Sequence, residues 1–226
     1  MFSRVKRKLN EEVDEKEETK EKDTSTKQLN IIMPKNEDED EMRLIGLFGE
    51  VEENKIALLV AALIDLADKA EVEVPKDPDD PDSETEIINE PIDFIISTHG
   101  GNADDMFALY DMMRVVKERC DIQTFGLGKV MSAGVLLLAA GTKGKRKIGK
   151  NCRVMIHSVV AGSAGSFHNL ENEIEEIRFT QDAYLNALAA ESNMTYTQLK
   201  KMIDKKVNVY LSAEEAVKMG IADIIV

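Results

Sequence analysis

The chain has 226 residues, enough for one domain with a sizeable hydrophobic core. Its formal net charge of -14 at pH 7 argues against nucleic acid and anionic membranes as partners, because both require a basic face. Two cysteines, Cys120 and Cys152, are too few for a disulfide framework, and no apolar stretch follows the basic residues near the N-terminus, so we expect an inert pair of thiols, no secretory signal and a cytoplasmic location.

The N-terminal segment differs in composition from the rest of the chain. Residues 1–41 are dominated by Lys, Glu and Asp, which predicts a mobile arm or a solvated helix that buries little. Residues 29–33 are its one apolar patch and favour a short strand. We therefore divide the chain into a charged arm, 1–41, and a single domain, 42–226.

Strand and helix patterns alternate in the first half of the domain. Short apolar runs predict strands at 43–49, 92–97 and 122–126, with the last strand leading into a turn. Apolar residues at helical spacing predict helices at 54–70 and 104–118. Repeated crossovers of this kind imply a parallel sheet covered by helices, and hence an α/β fold.

One acidic stretch interrupts this alternation. Residues 71–91 place Pro75, Pro78 and Pro81 among aspartates and glutamates. Because proline lacks a backbone donor and breaks regular elements, we predict an exposed acidic loop without regular structure. Its simplest interpretation is a tolerated surface excursion.

The second half of the domain is predicted to be mostly helical. Residues 170–192 form a long helix whose apolar positions spread beyond one stripe, so part of it is expected to face another subunit; these positions are Ile174, Ile177, Phe179, Tyr184, Leu185 and Leu188. A short helix follows at 196–205, and residues 207–211 look extended. Ser212 and Glu215 form a capping box, and Gly220 fits the end of that last helix.

The strongest chemical signal lies between Gly126 and His157. A turn of small residues places Ser132 directly before the apolar run 135–140, as expected for a serine at the start of a buried helix, where backbone N–H groups favour negative charge. The segment 153–156 predicts a short buried strand that ends in His157. A histidine at a strand end can face a serine at a helix start, and the two form the base–nucleophile pair that acyl transfer needs. The simpler alternatives are a serine N-cap and a structural histidine.

Several ordered motifs carry a family resemblance. Met-Ser-Ala-Gly at 131–134, Ala-Gly-Thr-Lys-Gly-Lys-Arg at 140–146 and Asn-Cys-Arg-Val-Met-Ile-His at 151–157 closely resemble the proteolytic subunit of the Clp protease family, and the likeness continues at 97–101 and 211–223. It covers the chain from about Arg43 onward, with interruptions. The resemblance implies the ClpP/crotonase-type α/β fold of repeated β-β-α and βα units, with 170–192 as a long handle helix and 71–91 as an insertion.

The resemblance also implies roles for individual residues. Ser132 would be the nucleophile, His157 the general base, and the backbone N–H groups of Gly101 and Ala133 the oxyanion donors. The triad aspartate of the family falls at Asn208, whose amide oxygen can accept from the imidazole but lacks the charge that stabilises imidazolium.

Two further residues, Asp204 and His99, lie close to these positions in the sequence or in the family pattern. Asp204 is a weak substitute for the missing aspartate, because an extended chain at 207–211 would not put it on the same face as Asn208. His99 stands where the family usually has proline and lies next to the oxyanion turn.

Three functions remain open on the sequence. The first is an ATP-dependent-type serine endopeptidase, in which Ser132, His157 and Asn208 cleave unfolded proteins or peptides inside a ring-shaped chamber. The second is a weak or inactive subunit in a mixed or scaffold assembly, which Asn208 motivates. The third is a crotonase-type acyl-CoA enzyme. The resemblance implies further copies of the chain in two stacked heptameric rings and makes an AAA+ unfoldase a candidate partner, and we expect no cofactor and no metal.

Overall fold

Strands and helices alternate along most of the chain in the computed structural model, which describes residues 42–80, 82–205 and 208–226. In chain order the elements are β1 (Leu44–Val51), α1 (Glu53–Asp68), β2 (Glu71–Pro75), β3 (Thr85–Asn89), β4 (Ile92–Gly101), α2 (Ala103–Val116), β5 (Ile122–Met131), α3 (Ala133–Ala139), β6 (Lys147–Ile148), β7 (Arg153–Ile156), α4 (Phe167–Glu191), α5 (Tyr196–Ile203), β8 (Val209–Leu211), α6 (Ala213–Lys218) and β9 (Ile224–Ile225). The predicted arm 1–41, with its apolar patch 29–33, lies outside the described residues.

Seven strands form one sheet that branches at β5. The main path runs β1-β4-β5-β6-β9, while β7 pairs with β5 and β8 pairs with β7. Within the described residues only the β7–β8 pair of this sheet is antiparallel. The first half of β5 pairs with β6 and the second half with β7, and Gly128, with φ 63°, lies between the two halves. The predicted α/β fold with a mostly parallel sheet is confirmed.

Helices cover the sheet and bury its central strands. The helix α1 packs on α2 and β1, and α3 packs on β4, β5, α2 and α4. Every residue of α3 is buried, as the apolar run after Ser132 predicts. The core rests on aliphatic residues and methionine, as expected for a chain so poor in aromatic residues.

The acidic stretch 71–91 is ordered as a hairpin, so the prediction of an irregular loop is wrong. Strands β2 and β3 pair antiparallel from Glu71↔Asn89 to Pro75↔Thr85, and they form a separate two-stranded sheet. Pro75 is tolerated because it is the last residue of its strand, where a missing donor costs little. Every residue of β3 is exposed, as predicted for the stretch, whereas three of the five residues of β2 are half-buried.

Element ends differ from the sequence predictions in three places that matter for the site. The strand β4 continues to Gly101, past the predicted end at 97, because β1 pairs with it as far as Gly101. The strand β5 continues to Met131 through the stretch 126–131, where the sequence predicts a turn, because neighbouring strands pair with both of its halves. The long helix α4 begins at Phe167, three residues earlier than predicted. Among the described residues, no helix is both long and apolar enough to cross a bilayer.

A buried arginine ties the C-terminal elements together. The guanidinium of Arg146, only 4% exposed, donates to Asp223 through Nε (2.8 Å) and through a second nitrogen (2.6 Å). It also donates to the backbone carbonyls of Ala139 (3.0 Å) and Glu191 (2.6 Å). These bonds join the ends of α3 and α4 to the residue just before β9.

Candidate active site

Neighbouring strand ends bring the predicted site residues to one edge of the sheet. Gly101 is the last residue of β4, Ser132 follows β5, and His157 follows β7. These three strands run parallel, so their carboxyl ends share an edge. Asn208 precedes the antiparallel strand β8, and the register Ile156↔Val209, continued by one step, places it opposite His157. Gly101, Ser132, His157 and Asn208 therefore follow the order of neighbouring strands β4, β5, β7 and β8.

A cavity of about 470 Å³ opens at this edge. Its lining includes Ser132, His157, Gly101 and Ala133, so the predicted nucleophile, base and oxyanion donors face a common space. Asn208 is exposed and lies outside the lining. The structure therefore brings Asn208 to the start of the neighbouring strand β8 rather than into the cavity.

Ser132 has an unusual backbone conformation. Its φ of 54° and ψ of -123° make it the single non-glycine residue with positive φ in the described part of the chain. Such a conformation costs about 1–3 kcal/mol and persists only where the surroundings enforce it. The hydroxyl makes no capping bond to α3, so the alternative of an ordinary N-cap serine does not hold. The Ser132 hydroxyl is thus presented to the cavity without a structural task.

Backbone contacts on both sides fix Ser132. Its N–H donates to the carbonyl of Met155 on β7 (2.8 Å). Its carbonyl accepts from the N–H of Val135 (3.0 Å) and from the hydroxyl of Tyr184 on α4 (3.2 Å). Burial raises the pKa of Tyr184 well above its ordinary value, so this hydroxyl stays protonated and remains a donor.

The Gly-Gly pair at the end of β4 lies directly against this turn. Gly100 has φ 100°, and a Cβ added there would lie 2.5 Å from the Cβ of Ser132 and 3.0 Å from its Oγ. A Cβ at Gly101 would lie 2.2 Å from the carbonyl oxygen of Val51. Only glycine allows these approaches, which pack Gly100 against Ser132 and Gly101 against Val51. Asn102 then caps α2 and directs the chain away.

Backbone N–H groups complete the arrangement. Ala133 is the first residue of α3, so the helix offers no acceptor to its N–H. Ser132, His157, Gly101 and Ala133 all line the cavity, and a hydroxyl, an imidazole and main-chain donors are the parts that acyl transfer requires.

The remaining lining includes His99, which the sequence places next to the oxyanion turn, and three residues that the sequence does not single out for the site, Asp104, Glu176 and Tyr184. Asp104 and Glu176 are exposed carboxylates of this lining, and the exposed His99 also belongs to it. Tyr184 reaches the cavity from α4, fifty-two positions from Ser132. No local pattern marks these tertiary neighbours, because they meet the serine only after the chain has folded.

A sequence comparison assigns the chain to a family. The model of the family described as Clp protease matches residues 83–226, more than half of the chain. The chain belongs to the Clp protease family. The match begins inside the β2–β3 hairpin and includes Gly101, Ser132, His157 and Asn208. At the level of the family, membership supports peptidase chemistry, and the mostly parallel α/β sheet is consistent with the fold of that family.

Proposed function

We propose that the chain is a serine endopeptidase that cleaves unfolded proteins or peptides inside a ring-shaped chamber. Ser132 is the nucleophile, His157 the general base, and the N–H groups of Gly101 and Ala133 the oxyanion donors. The observation that carries the proposal is the strained Ser132, whose hydroxyl caps nothing and shares a cavity with His157.

The chemistry follows from these groups in two steps. In the first, Ser132 Oγ bonds to the peptide carbonyl carbon while His157 takes the hydroxyl proton, and the carbonyl oxygen becomes an oxyanion held by backbone N–H groups. Collapse breaks the C–N bond, and His157 gives its proton to the departing amine. In the second step, water attacks the acyl-enzyme with His157 again as base, which restores the serine.

Asn208 stands where the family has the aspartate of its catalytic triad. Its amide oxygen is able to accept the imidazole N–H and fix the tautomer, but it offers no negative charge to imidazolium. An exposed asparagine at this position favours a second candidate, a weak or inactive subunit that acts in a mixed or scaffold assembly. Family membership favours these two candidates, the endopeptidase and the weak or inactive subunit, over the acyl-CoA enzyme.

The proposed partners are further copies of the chain. The first half of α4 is mostly exposed and presents Phe167 (69% exposed), Ile174 (49%) and Phe179 (68%). Apolar side chains on a projecting helix suit the handle by which two stacked heptameric rings would interlock. An AAA+ unfoldase that delivers substrate stays a candidate partner on the family resemblance alone.

One experiment tests the chemistry and the assembly together. Peptidase rate and particle mass are measured for four proteins: the wild type, Ser132→Ala, Ser158→Ala and Asn208→Asp. Each protein is also treated with a serine-reactive phosphonate. We expect an adduct on Ser132, lost in Ser132→Ala and retained in Ser158→Ala, the matched serine of the same cavity. Particle mass is expected to be equal in all four proteins, because none of the changes touches α4.

The outcomes separate the candidates. An assembled wild-type particle without an adduct would overturn the endopeptidase. Replacement of Asn208 by Asp supplies the missing charge, and a gain approaching the roughly 10⁴-fold effect of the reverse change in serine proteases would favour the weak-subunit reading. A wild type that is already fast, with no gain in Asn208→Asp, would show that the asparagine is not limiting.

A further inference from the structure

Tyr184 contacts the peptide unit that contains a proposed oxyanion donor. The Ser132 carbonyl and the Ala133 N–H belong to one planar trans peptide, so they point in opposite directions. Any group that holds the carbonyl therefore also sets the direction of the N–H. The Tyr184 hydroxyl is such a group, because it donates to the Ser132 carbonyl at 3.2 Å.

The position of Tyr184 suits it to this task. It lies on α4, is 6% exposed, and its ring borders the same cavity as Ser132. It is the first buried residue of α4, so its ring is fixed by packing where the helix enters the core. A hydrogen bond from a fixed donor to a strained peptide holds that peptide in one orientation.

The other hydrogen bonds of the Ser132 backbone leave the orientation of the peptide between Ser132 and Ala133 to be fixed by Tyr184. The Met155 carbonyl accepts from the N–H of Ser132, which belongs to the preceding peptide unit, between Met131 and Ser132. In the described part of the chain, the Ser132 carbonyl accepts from just two donors, the Tyr184 hydroxyl and the N–H of Val135 in the first turn of the seven-residue helix α3. Among the residues that the structure describes, the bond from α4 is thus the one hydrogen bond to this peptide unit from outside its own turn.

We propose that Tyr184 is a positioning residue that aims the Ala133 N–H at the developing oxyanion by holding the Ser132 carbonyl. The proposal rests on the proposed function, since it assigns Tyr184 to the oxyanion donor of that mechanism. Tyr184 forms no bond to the substrate in this role. Its bond also polarises the peptide, which strengthens the N–H as a donor.

This role predicts a specific kinetic pattern. A donor that matters mainly when negative charge develops affects kcat more than KM. We expect Tyr184→Phe, which keeps the ring and removes the hydroxyl, to lower kcat for a small fluorogenic peptide about three- to tenfold, the effect of one hydrogen bond. KM should change less than twofold, and binding of a peptidyl boronate, which forms an anionic tetrahedral adduct, should weaken in step with kcat/KM.

Tyr110→Phe is the matched control. Tyr110 is also buried, at 7% exposed, but its hydroxyl donates to Glu191 at 3.1 Å rather than to the serine turn. Both variants lose one buried tyrosine hydroxyl, so both are expected to lower thermal stability. Only Tyr184→Phe should lower kcat and boronate affinity.

The outcomes decide between positioning and packing. Equal losses of kcat in the two variants, or wild-type kcat in Tyr184→Phe, would overturn the proposal. A crystal structure of Tyr184→Phe gives a readout independent of chemistry, and we expect rotation of the peptide between Ser132 and Ala133; an unchanged peptide would also overturn it. If the wild type lacks peptidase activity, the proposed function fails. The crystal structures would still test whether the Tyr184 hydroxyl fixes the orientation of the peptide between Ser132 and Ala133.

Discussion

At the scale of single residues, the candidate site depends on one backbone conformation. Ser132 holds positive φ because Met155, Val135 and Tyr184 each bond to its backbone. The strain aims the hydroxyl into the cavity rather than at the helix end. This is the relation between local cost and function that is expected at a nucleophile turn.

Replacement of Gly100 by alanine should damage this turn directly. The new Cβ would meet Ser132 Cβ at 2.5 Å, and φ 100° is unfavourable for alanine. We expect a loss of about 1–3 kcal/mol in the free energy of unfolding, together with loss of phosphonate labelling at Ser132.

Gly144→Ala provides the control for backbone strain alone. Gly144 has φ 87°, and a Cβ there would meet nothing within 4 Å. It should lose stability through φ but keep its labelling rate. Normal labelling in a folded Gly100→Ala protein would contradict the proposed closeness of the Gly-Gly turn to the nucleophile. Urea unfolding and labelling rates measure both effects.

Some of the site residues can be predicted from the sequence and others cannot. The positions of Ser132 and His157 were predictable, because small residues, an apolar run and a strand end surround them locally. Tyr184 was predictable only as an apolar position of a helix. Its hydroxyl acquires a partner fifty-two positions away, and nothing in the local sequence records that contact.

At the scale of elements, Arg146 and Asp223 hold the C-terminal part of the fold. Burial acts to raise the pKa of Asp223, but hydrogen bonds and charge from Arg146 outweigh it and hold the pKa below its ordinary value. The carboxylate also accepts from the backbone N–H of Gly144 at 2.7 Å. This pair thus connects three elements through a nearly inaccessible guanidinium.

Asp223→Asn should strongly destabilise the fold, because it leaves a buried positive charge without its partner. We expect a loss of about 3–5 kcal/mol at pH 7 by urea unfolding. A folded-state pKa below the unfolded one stabilises the protein above the unfolded value, so the wild-type advantage should shrink as the pH falls below about 4.

Glu84→Gln is the control for the loss of a carboxylate. Glu84 pairs with Lys76 at 2.7 Å on the exposed hairpin, where an ion pair contributes less than about 1 kcal/mol. Similar losses in the two variants, or a pH-independent difference for Asp223→Asn, would contradict the assigned role of the pair.

The hairpin shows where element prediction failed. Three prolines within a run of acidic residues indicate an irregular loop by every local rule. Pairing of β2 with β3 overrides that signal, because Pro75 ends its strand and the backbone N–H of Lys76 donates to Glu84 (2.8 Å). The base is closed by the N–H of Glu90, which donates to Ala70 at 2.9 Å. The cross-strand partners lie too far apart in sequence for a local pattern to reveal them.

At the scale of the whole molecule, charge should select substrates. The chain carries a net charge of -14, and the cavity lining contains Asp104 and Glu176 but no Lys or Arg among its described residues. A negative field in a cleft attracts cationic segments and repels anionic ones.

Two fluorescence-quenched peptide substrates test this selection. They are identical except for one residue beside the cleaved bond, which is lysine in one peptide and glutamate in the other. We expect a kcat/KM about tenfold higher for the lysine peptide at low salt, and a ratio that falls as salt screens the charges. Glu176→Gln should reduce the ratio, whereas the change at its neighbour Glu175, which lies outside the lining, should not. A ratio near one in the wild type at low salt would contradict the prediction.

The edge that holds the candidate site is assembled from remote parts of the chain. Gly101 and Asn208 are more than a hundred positions apart, and the strand β8 lies within the last eighteen residues. Contacts between such distant positions form late in folding, because a long loop must close before they stabilise the chain. The closeness of Gly101, Ser132, His157 and Asn208 is thus a late product of folding, and a truncated protein without β8 would leave one edge of β7 unpaired.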